Sequence, residues 1–171
     1  MTVSGQKLTA TAGTWAPAPV TLTYQWKRSG VAITGATAST YTLTSTDVGK
    51  TITVTVTGTK AGYVTTAKTS AATATVTAPK ALTAAPVPKI TGSAVSGQKL
   101  TATAGTWAPA PVTLTYQWKR SGVAITGATA STYTLTSTDV GKTITVTVTG
   151  TKAGYVTTAK TSAATAAVKA H

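Results

Sequence analysis

The stretch Thr-Ile-Thr-Val-Thr-Val-Thr, residues 51–57, decides the fold. Its aliphatic side chains, Ile52, Val54 and Val56, alternate with threonines without a break. Successive side chains of a β-strand point to opposite faces, so a period of two predicts a strand with one buried face and one wet face. A wet face is typical of antiparallel sheets, because parallel sheets are usually covered on both sides.

Other stretches of the chain alternate in the same way. Residues 22–26 place Leu22, Tyr24 and Trp26 on one face, which we expect to point inward. Weaker or shorter strands are predicted at residues 8–12, 31–33, 41–43 and 69–76. Glycines and prolines separate these strands at intervals of about 8–12 residues, a spacing typical of an all-β sandwich or barrel.

The whole pattern occurs twice. Residues 3–76 recur 92 positions later as residues 95–168, and the copies differ only at Thr75, which is Ala167 in the second copy. Units this similar are expected to fold alike and to present the same surface. The predicted core residues are Tyr24, Trp26, Ile52, Val54 and Val56, with Tyr116 and Trp118 in the second copy.

The sequence between the copies has a different composition. Pro79, Pro86 and Pro88 stand there among alanines. Proline cannot donate to a β-ladder and favours an extended, semi-rigid connection. We therefore predict a first domain at residues 1–78, a linker at 79–88 and a second domain at 89–171.

The two predicted domains begin differently. Residues 89–91 have the pattern of a first strand, and nothing precedes Met1 to match them, since Thr2 aligns with Ala94. We expect the chain to be an excised fragment with an added start methionine, whose first domain lacks that strand. Its unprotected edge predicts a lower melting temperature than that of the second domain.

Composition narrows the classes of function. Threonine makes up about a quarter of the chain, Cys and Phe are absent, and the net charge is +13. This charge is compatible with anionic partners such as wall polymers or acidic polysaccharides, or with a lysine coat that keeps strand edges apart. The lysines are scattered singly, which disfavours nucleic acid as a partner. No apolar run approaches the roughly 20 residues of a membrane span.

Catalysis is difficult to build from these residues. Each copy has one carboxylate, Asp47 or Asp139, and the only histidine is His171 at the terminus. A paired-carboxylate glycosidase site needs two acids, a Ser-His-Asp triad needs a histidine, and a calcium site needs several anionic oxygens. We predict a protein that is not an enzyme and has no cofactor or metal, in which Asp47 accepts backbone N–H bonds at a turn.

Two loop aromatics per copy leave an alternative open. Trp15 lies in a proline-rich loop, Tyr63 follows Gly62, and their counterparts are Trp107 and Tyr155. These side chains either cap the ends of the sandwich or contact a ligand such as a sugar ring. Exposure of Trp15 and Tyr63 at the same end would favour the ligand.

Several stretches resemble an immunoglobulin-like domain. Residues 24–33 resemble strand C and the following hairpin, with Trp26 as the core tryptophan, and residues 39–49 resemble the E strand and the E–F corner. Over nearly its whole length, each copy is similar to the Thr-rich immunoglobulin-like modules strung in tandem on secreted and wall-attached proteins, mostly of Gram-positive bacteria. Thr51 and Thr53 stand where antibody-type domains carry Tyr and Cys, so antibody-like recognition is not implied.

The resemblance implies two tandem immunoglobulin-like β-sandwich domains in an extracellular or wall-attached bacterial protein. The implied role is a non-enzymatic spacer or stalk, whose partners are the neighbouring repeats of its own chain. The alternative is a module that binds anionic wall polymer or carbohydrate through lysines and the loop residues Trp15 and Trp107.

Overall fold

The computed structural model describes residues 2–171 as two compact units, unit 1 (Met1–Pro79) and unit 2 (Lys80–His171). The strands of unit 1 are β1 (Lys7–Thr9), β2 (Thr21–Arg28), β3 (Val31–Ala32), β4 (Thr40–Thr42), β5 (Ile52–Thr59) and β6 (Thr66–Thr69). Those of unit 2 are β7 (Lys89–Thr91), β8 (Lys99–Thr103), β9 (Thr113–Arg120), β10 (Val123–Ala124), β11 (Thr132–Thr134), β12 (Ile144–Thr151) and β13 (Thr158–Thr161). One 3-10 turn precedes the long inner strand of each unit, at Ser45–Asp47 and Ser137–Asp139.

Each unit is a sandwich of two antiparallel sheets. In unit 2 the sheets have the orders β11-β8-β7 and β10-β9-β12-β13, and in unit 1 they have the orders β1-β4 and β3-β2-β5-β6. These orders are those of strands E-B-A and C′-C-F-G of an immunoglobulin-like domain, except that unit 1 has no A strand among its described residues. The prediction of two tandem all-β immunoglobulin-like sandwiches is confirmed.

The alternating stretch forms the centre of each core. Ile52 is fully buried on β5, with Val54 and Val56 at 7% and 6% exposure, and the counterparts on β12 are all at 0%. Trp26 and Trp118 are buried against these strands, and each indole N–H donates a hydrogen bond of 2.9 Å to the carbonyl of Ala38 or Ala130. Tyr24 and Tyr116 are half-buried and pack against the same clusters.

The last strand of unit 1 differs from the predicted one. It spans Thr66–Thr69 rather than residues 69–76. Beyond it the chain still follows β5, but the Ser70 and Thr73 hydroxyls accept the N–H bonds of Val54 and Ile52 at 3.1 Å. Because side-chain oxygens replace carbonyls at these positions, the segment is an irregular edge rather than a regular strand.

The boundary between the units also differs from the prediction. Residues 79–88 were expected to form a linker, but the chain divides between Pro79 and Lys80. Residues 80–88 fold onto unit 2, and Pro88 is buried there. Proline excludes regular ladder pairing but does not prevent packing, which is why composition alone suggested a linker.

Candidate functional site

The two carboxylates belong to a buried network at the turn before the inner strand. Asp47 is 0% exposed and accepts hydrogen bonds from Arg28 Nε at 2.6 Å, from the Tyr41 hydroxyl at 2.9 Å and from the Thr44 backbone N–H at 2.7 Å. The matching network of unit 2 consists of Asp139, Arg120, Tyr133 and Thr136. Asp47 therefore accepts a backbone N–H bond at the turn, together with an ion pair to strand β2 that the sequence did not suggest.

The hydrogen bonds of this network shift the pKa values of Asp47 and Tyr41. Burial by itself would raise the pKa of Asp47, but hydrogen bonds from Thr44, Arg28 and Tyr41 outweigh it and leave the pKa below its ordinary value. Burial, and then the hydrogen bond to Asp47, raises the pKa of Tyr41. A carboxylate that solvent does not reach, and that four donor groups from three residues hold ionised, stabilises the fold and is not placed to exchange protons with a substrate.

Residues 2–171 contain neither a cluster of metal-ligating side chains nor a membrane-spanning helix. No group of three or more His, Cys, Asp or Glu side chains lies together in a way that would hold a metal ion. The same residues contain no helix that is both long and apolar enough to cross a bilayer.

Trp15 lies against the end of strand β5 in unit 1. Its indole N–H donates to the Ala12 carbonyl at 2.8 Å, and its ring lies so close to Gly58 that a Cβ at that position would be 2.5 Å from Trp15 Cε3. The glycine within this strand is explained by the close approach of the ring. The Trp15 side chain as a whole is half-buried.

Trp15 and Tyr63 meet at one end of unit 1, in a groove that we call the Trp15 groove. Tyr63 is 59% exposed, and Lys60 Nζ lies 5.5 Å from the centre of its ring. The groove has a volume of about 340 Å³ beside Tyr63 and continues as a cavity of about 450 Å³ lined by residues 11–16 and by strands β5 and β6. Its lining residues include Trp15, Val56, Tyr63, Val64, Thr66 and Lys68.

The corresponding surface of unit 2 is covered by residues 80–91, which we call the lead segment. Leu82 and Ala85 pack against a buried cluster of Ala104, Trp107 and Val148. Trp107 is 5% exposed, whereas Trp15 is half-buried. The burial of the Trp107 indole thus depends on the lead segment, which lies outside the repeated sequence.

Backbone hydrogen bonds attach the lead segment along its length. Lys80 donates to the Gly154 carbonyl at 2.9 Å and accepts from the Val156 N–H at 2.8 Å. Farther along, Ala84 accepts from the Ala108 N–H at 3.1 Å, and β7 pairs with β8 in an antiparallel ladder. The segment is therefore an integral edge of the unit 2 sandwich.

These contacts separate the four loop aromatics, which were predicted either to cap the sandwich or to contact a ligand. The lead segment covers Trp107, which is 5% exposed, and Tyr155 is half-buried and forms a β-bridge to Lys80. Trp15 and Tyr63 lie together and remain open. Identical local sequences therefore present different surfaces.

Leu82, Ala85 and Pro88 were missed from the sequence as packing residues. The available signal was Leu82, the only leucine outside the repeated blocks. A lone leucine among alanines and prolines does not reveal which surface it covers, since this depends on the path of the chain.

Comparison with known proteins identifies no family. No protein-family model matches the chain, and no curated protein sequence matches it. Among solved structures, "Structure of amphioxus IgVJ-C2 molecule" is similar at 13% identity and a TM-score of 0.31, covering 92% of this chain and 95% of that one. "Tandem Ig repeats of Dlar" is similar at 11% identity and a TM-score of 0.31, covering 90% and 84% respectively. Because these scores are low, the immunoglobulin-like assignment rests on the strand order of each unit.

Proposed function

We propose that the chain is a non-enzymatic spacer, a stalk module of an extracellular or wall-attached bacterial protein. The observation that carries this proposal is the path of the chain through unit 2, which enters at one end of the sandwich and leaves at the other. The cellular setting follows from the resemblance of the repeat to tandem wall-associated modules. Neighbouring repeats of the same chain are its proposed partners.

The two ends of unit 2 are defined by backbone pairing. Lys80 bonds to Gly154 and Val156, in the loop that follows strand β12. At the other end, Gly141 donates to the Val168 carbonyl at 2.8 Å, just before β12 begins. Strand β12 has eight residues and spans about 26 Å between these ends, at roughly 3.3 Å per residue. A module crossed from end to end adds its own length to a string of modules.

Closure of unit 2 supports a structural role. The lead segment covers the aromatic surface that would otherwise be open, and Asp139 is committed to the buried network. A repeat that covers its own apolar surface can be joined in series without exposing a large apolar patch.

Small-angle scattering on chains of one, two and four repeats tests the spacer. We expect the maximum dimension to rise linearly with copy number, by at least about 26 Å per added unit. A maximum dimension that levels off after two repeats would contradict the proposal, because the modules would then pack side by side.

A binding module for anionic wall polymer or polysaccharide is the second candidate, and the open Trp15 groove favours it. Lys60 and Lys68 line this groove beside Trp15 and Tyr63. A panel of glycans and wall polymers at two salt concentrations separates the candidates, since charge-driven binding weakens as salt rises. Tight binding at low salt that Trp15→Ala abolishes would establish the binding module, and no binding at either concentration favours the spacer.

A further inference from the structure

We propose that each unit carries an acceptor site for an acidic extended peptide, which adds to the sandwich as one more strand. The site is a shallow groove along the open side of β4 in unit 1 and of β11 in unit 2. We call it the edge groove, and its lining residues lie within 33–42 in unit 1 and 125–134 in unit 2. It shares no lining residue with the Trp15 groove, and its occupant is a partner that the spacer role does not require.

Unpaired backbone groups on β4 are the first argument. The Ser39 carbonyl accepts and the Leu43 N–H donates a hydrogen bond of 2.8 Å to the segment that contains β1. Because antiparallel hydrogen bonds alternate along a strand, Tyr41 also faces β1, and the N–H and C=O groups of Thr40 and Thr42 face the other side. The sheet ends at β4, so no strand of the described chain pairs with these groups, and no loop backbone does so either.

The same edge is open in unit 2. There the Ser131 carbonyl accepts at 2.8 Å and the Leu135 N–H donates at 2.9 Å, which leaves the backbone groups of Thr132 and Thr134 facing away from β8. Strand β7 of the lead segment pairs with the opposite side of β8 and does not reach this edge. The open edge is therefore a property of the repeated sequence.

The edge groove offers an apolar surface to alternate side chains of an added strand. Its volume is about 290 Å³ in unit 1 and about 300 Å³ in unit 2. Ile33, Ala36 and Tyr41 line it in unit 1, and the same side chains pack against the core. A peptide that adds to a sheet edge gains main-chain hydrogen bonds, while pockets select its side chains. Since side chains alternate along a strand, every second residue of the occupant is expected to be apolar.

Charge selects the other side chains of the occupant. Both side-chain carboxylates of the chain are 0% exposed, so the exposed charged side chains among the described residues are basic. Arg28 Nη2 donates at 3.5 Å to the hydroxyl of Tyr41, which lines the groove, and Lys7 is exposed on the neighbouring strand β1. Such a surface attracts acidic side chains and repels basic ones. The occupant is therefore a segment in which acidic and apolar residues alternate.

The test is titration of the full chain with a capped peptide of alternating valine and glutamate. Calorimetry gives affinity and stoichiometry, and we expect two peptides per chain with a Kd below about 1 mM. Hydrogen exchange followed by NMR locates the peptide. The amide protons of Thr40, Thr42, Thr132 and Thr134 should exchange at least about tenfold more slowly in the saturated complex, because they become hydrogen-bonded.

Two further peptides separate main-chain pairing from simple charge attraction. A peptide of the same sequence that is methylated at every backbone nitrogen keeps its charges and loses its main-chain donors, so it should bind at least about tenfold more weakly. A peptide with lysine in place of glutamate should not bind, because it meets a basic surface. Added salt should weaken the binding of the first peptide without abolishing it.

Variants of the chain identify the edge groove as the site. Ala38 and Ala130 are exposed residues that line it in unit 1 and in unit 2. Ala38→Glu or Ala130→Glu alone should lower the stoichiometry from two peptides to one, and the double variant should not bind. The matched controls Ala67→Glu and Ala159→Glu place the same charge on exposed positions of β6 and β13, at the far edge of the other sheet, and should leave the stoichiometry at two. Circular dichroism establishes that each variant is folded.

Four results would overturn the proposal. The first is the absence of peptide binding to the folded chain up to about 1 mM. The second is equal binding of the methylated peptide, which would mean that charge alone drives the association. The third is binding that the folded double variant Ala38→Glu, Ala130→Glu leaves intact. The fourth is a stable dimer of the chain without added peptide that protects the Thr40 and Thr42 amides, since a second copy would then be the occupant.

Discussion

Unit 1 and unit 2 share all but one of 74 aligned residues, yet one presents an open aromatic groove and the other a closed surface. The difference comes from the twelve residues of the lead segment, which lie outside the repeated blocks. Their packing takes Trp107 to 5% exposure and gives the shorter sheet a third strand. Two copies of one sequence thus form a natural test of what an edge segment contributes to a small β-sandwich.

The comparison also separates features that the two units share from those that they do not. The buried tryptophan, the inner strand and the network around the carboxylate are the same in both units. The groove aromatics and the exposed edge differ. Substitutions in the shared features should affect both units equally, and substitutions at the groove should affect them unequally.

The largest effect is expected for the core tryptophans. Trp26→Ala and Trp118→Ala should each cost about 3–5 kcal/mol and unfold their own unit, because each removes a large buried side chain. Chemical denaturation of the two single variants measures both losses. Two losses of similar size fit the shared core, and a well-folded Trp26→Ala protein would contradict the placement of that indole.

The groove tryptophans should differ from each other. Trp107→Ala should cost about 3 kcal/mol, since the ring is buried beneath the lead segment, whereas Trp15→Ala should cost about 1 kcal/mol, since that side chain is only half-buried. Chemical unfolding of the two variants, monitored by the fluorescence of the remaining tryptophans, measures the two losses in the free energy of unfolding. Equal losses would mean that the lead segment contributes little to the burial of Trp107.

Acid should destabilise both units through the same group. The pKa of Asp47 and Asp139 is lowered in the folded state, so their contribution is complete above the unfolded value of about 4 and is lost as pH falls through the folded pKa. Asp47→Asn should cost about 2 kcal/mol at pH 7, because charge-assisted hydrogen bonds are lost. It should also remove the acid dependence of unit 1.

Unfolding as a function of pH tests this account directly, because Asp47 and Asp139 are the only side-chain carboxylates of the chain. The double variant Asp47→Asn, Asp139→Asn should show almost no loss of stability between pH 5 and about pH 2. A double variant that still loses stability steeply in this range would exclude the two networks as the cause.

The smallest expected effect is the difference in stability loss between alanine substitutions at Gly58 and at Gly150, the glycines that lie against Trp15 and Trp107. A Cβ at Gly58 or Gly150 would collide with the tryptophan ring above it. Trp15 can move outward, but the lead segment covers Trp107, so Gly150→Ala should be worse than Gly58→Ala by about 1 kcal/mol. Thermal unfolding of the two variants measures this difference, and a larger loss for Gly58→Ala would reverse the comparison.

Much of the fold was predictable because its information is local. Alternation at Ile52, Val54 and Val56 places side chains on one face of a strand, and this holds wherever the strand lies. The pairing of Arg28 with Asp47 was not predictable, since it joins two strands through a contact that no periodicity encodes. The meeting of Trp15 and Tyr63 depends in the same way on how two loops converge.

The lead segment shows a second limit of sequence-based prediction. Its alanines and prolines are typical of a linker, and a repeat comparison places it outside both copies. Its role follows from Leu82 and Pro88 reaching a surface that lies far along the chain. The boundary of a repeated sequence is therefore not the boundary of the folded unit.

Thermal unfolding of three fragments tests the central claim most directly. Residues 1–79 and 93–171 are matched counterparts, and residues 80–171 add the lead segment to the second of them. We predict that the first two melt together and that 80–171 melts at least about 5 °C higher, as expected for a gain of about 1 kcal/mol or more in a domain of this size. Equal melting temperatures for all three would contradict the claim that the lead segment closes the sandwich.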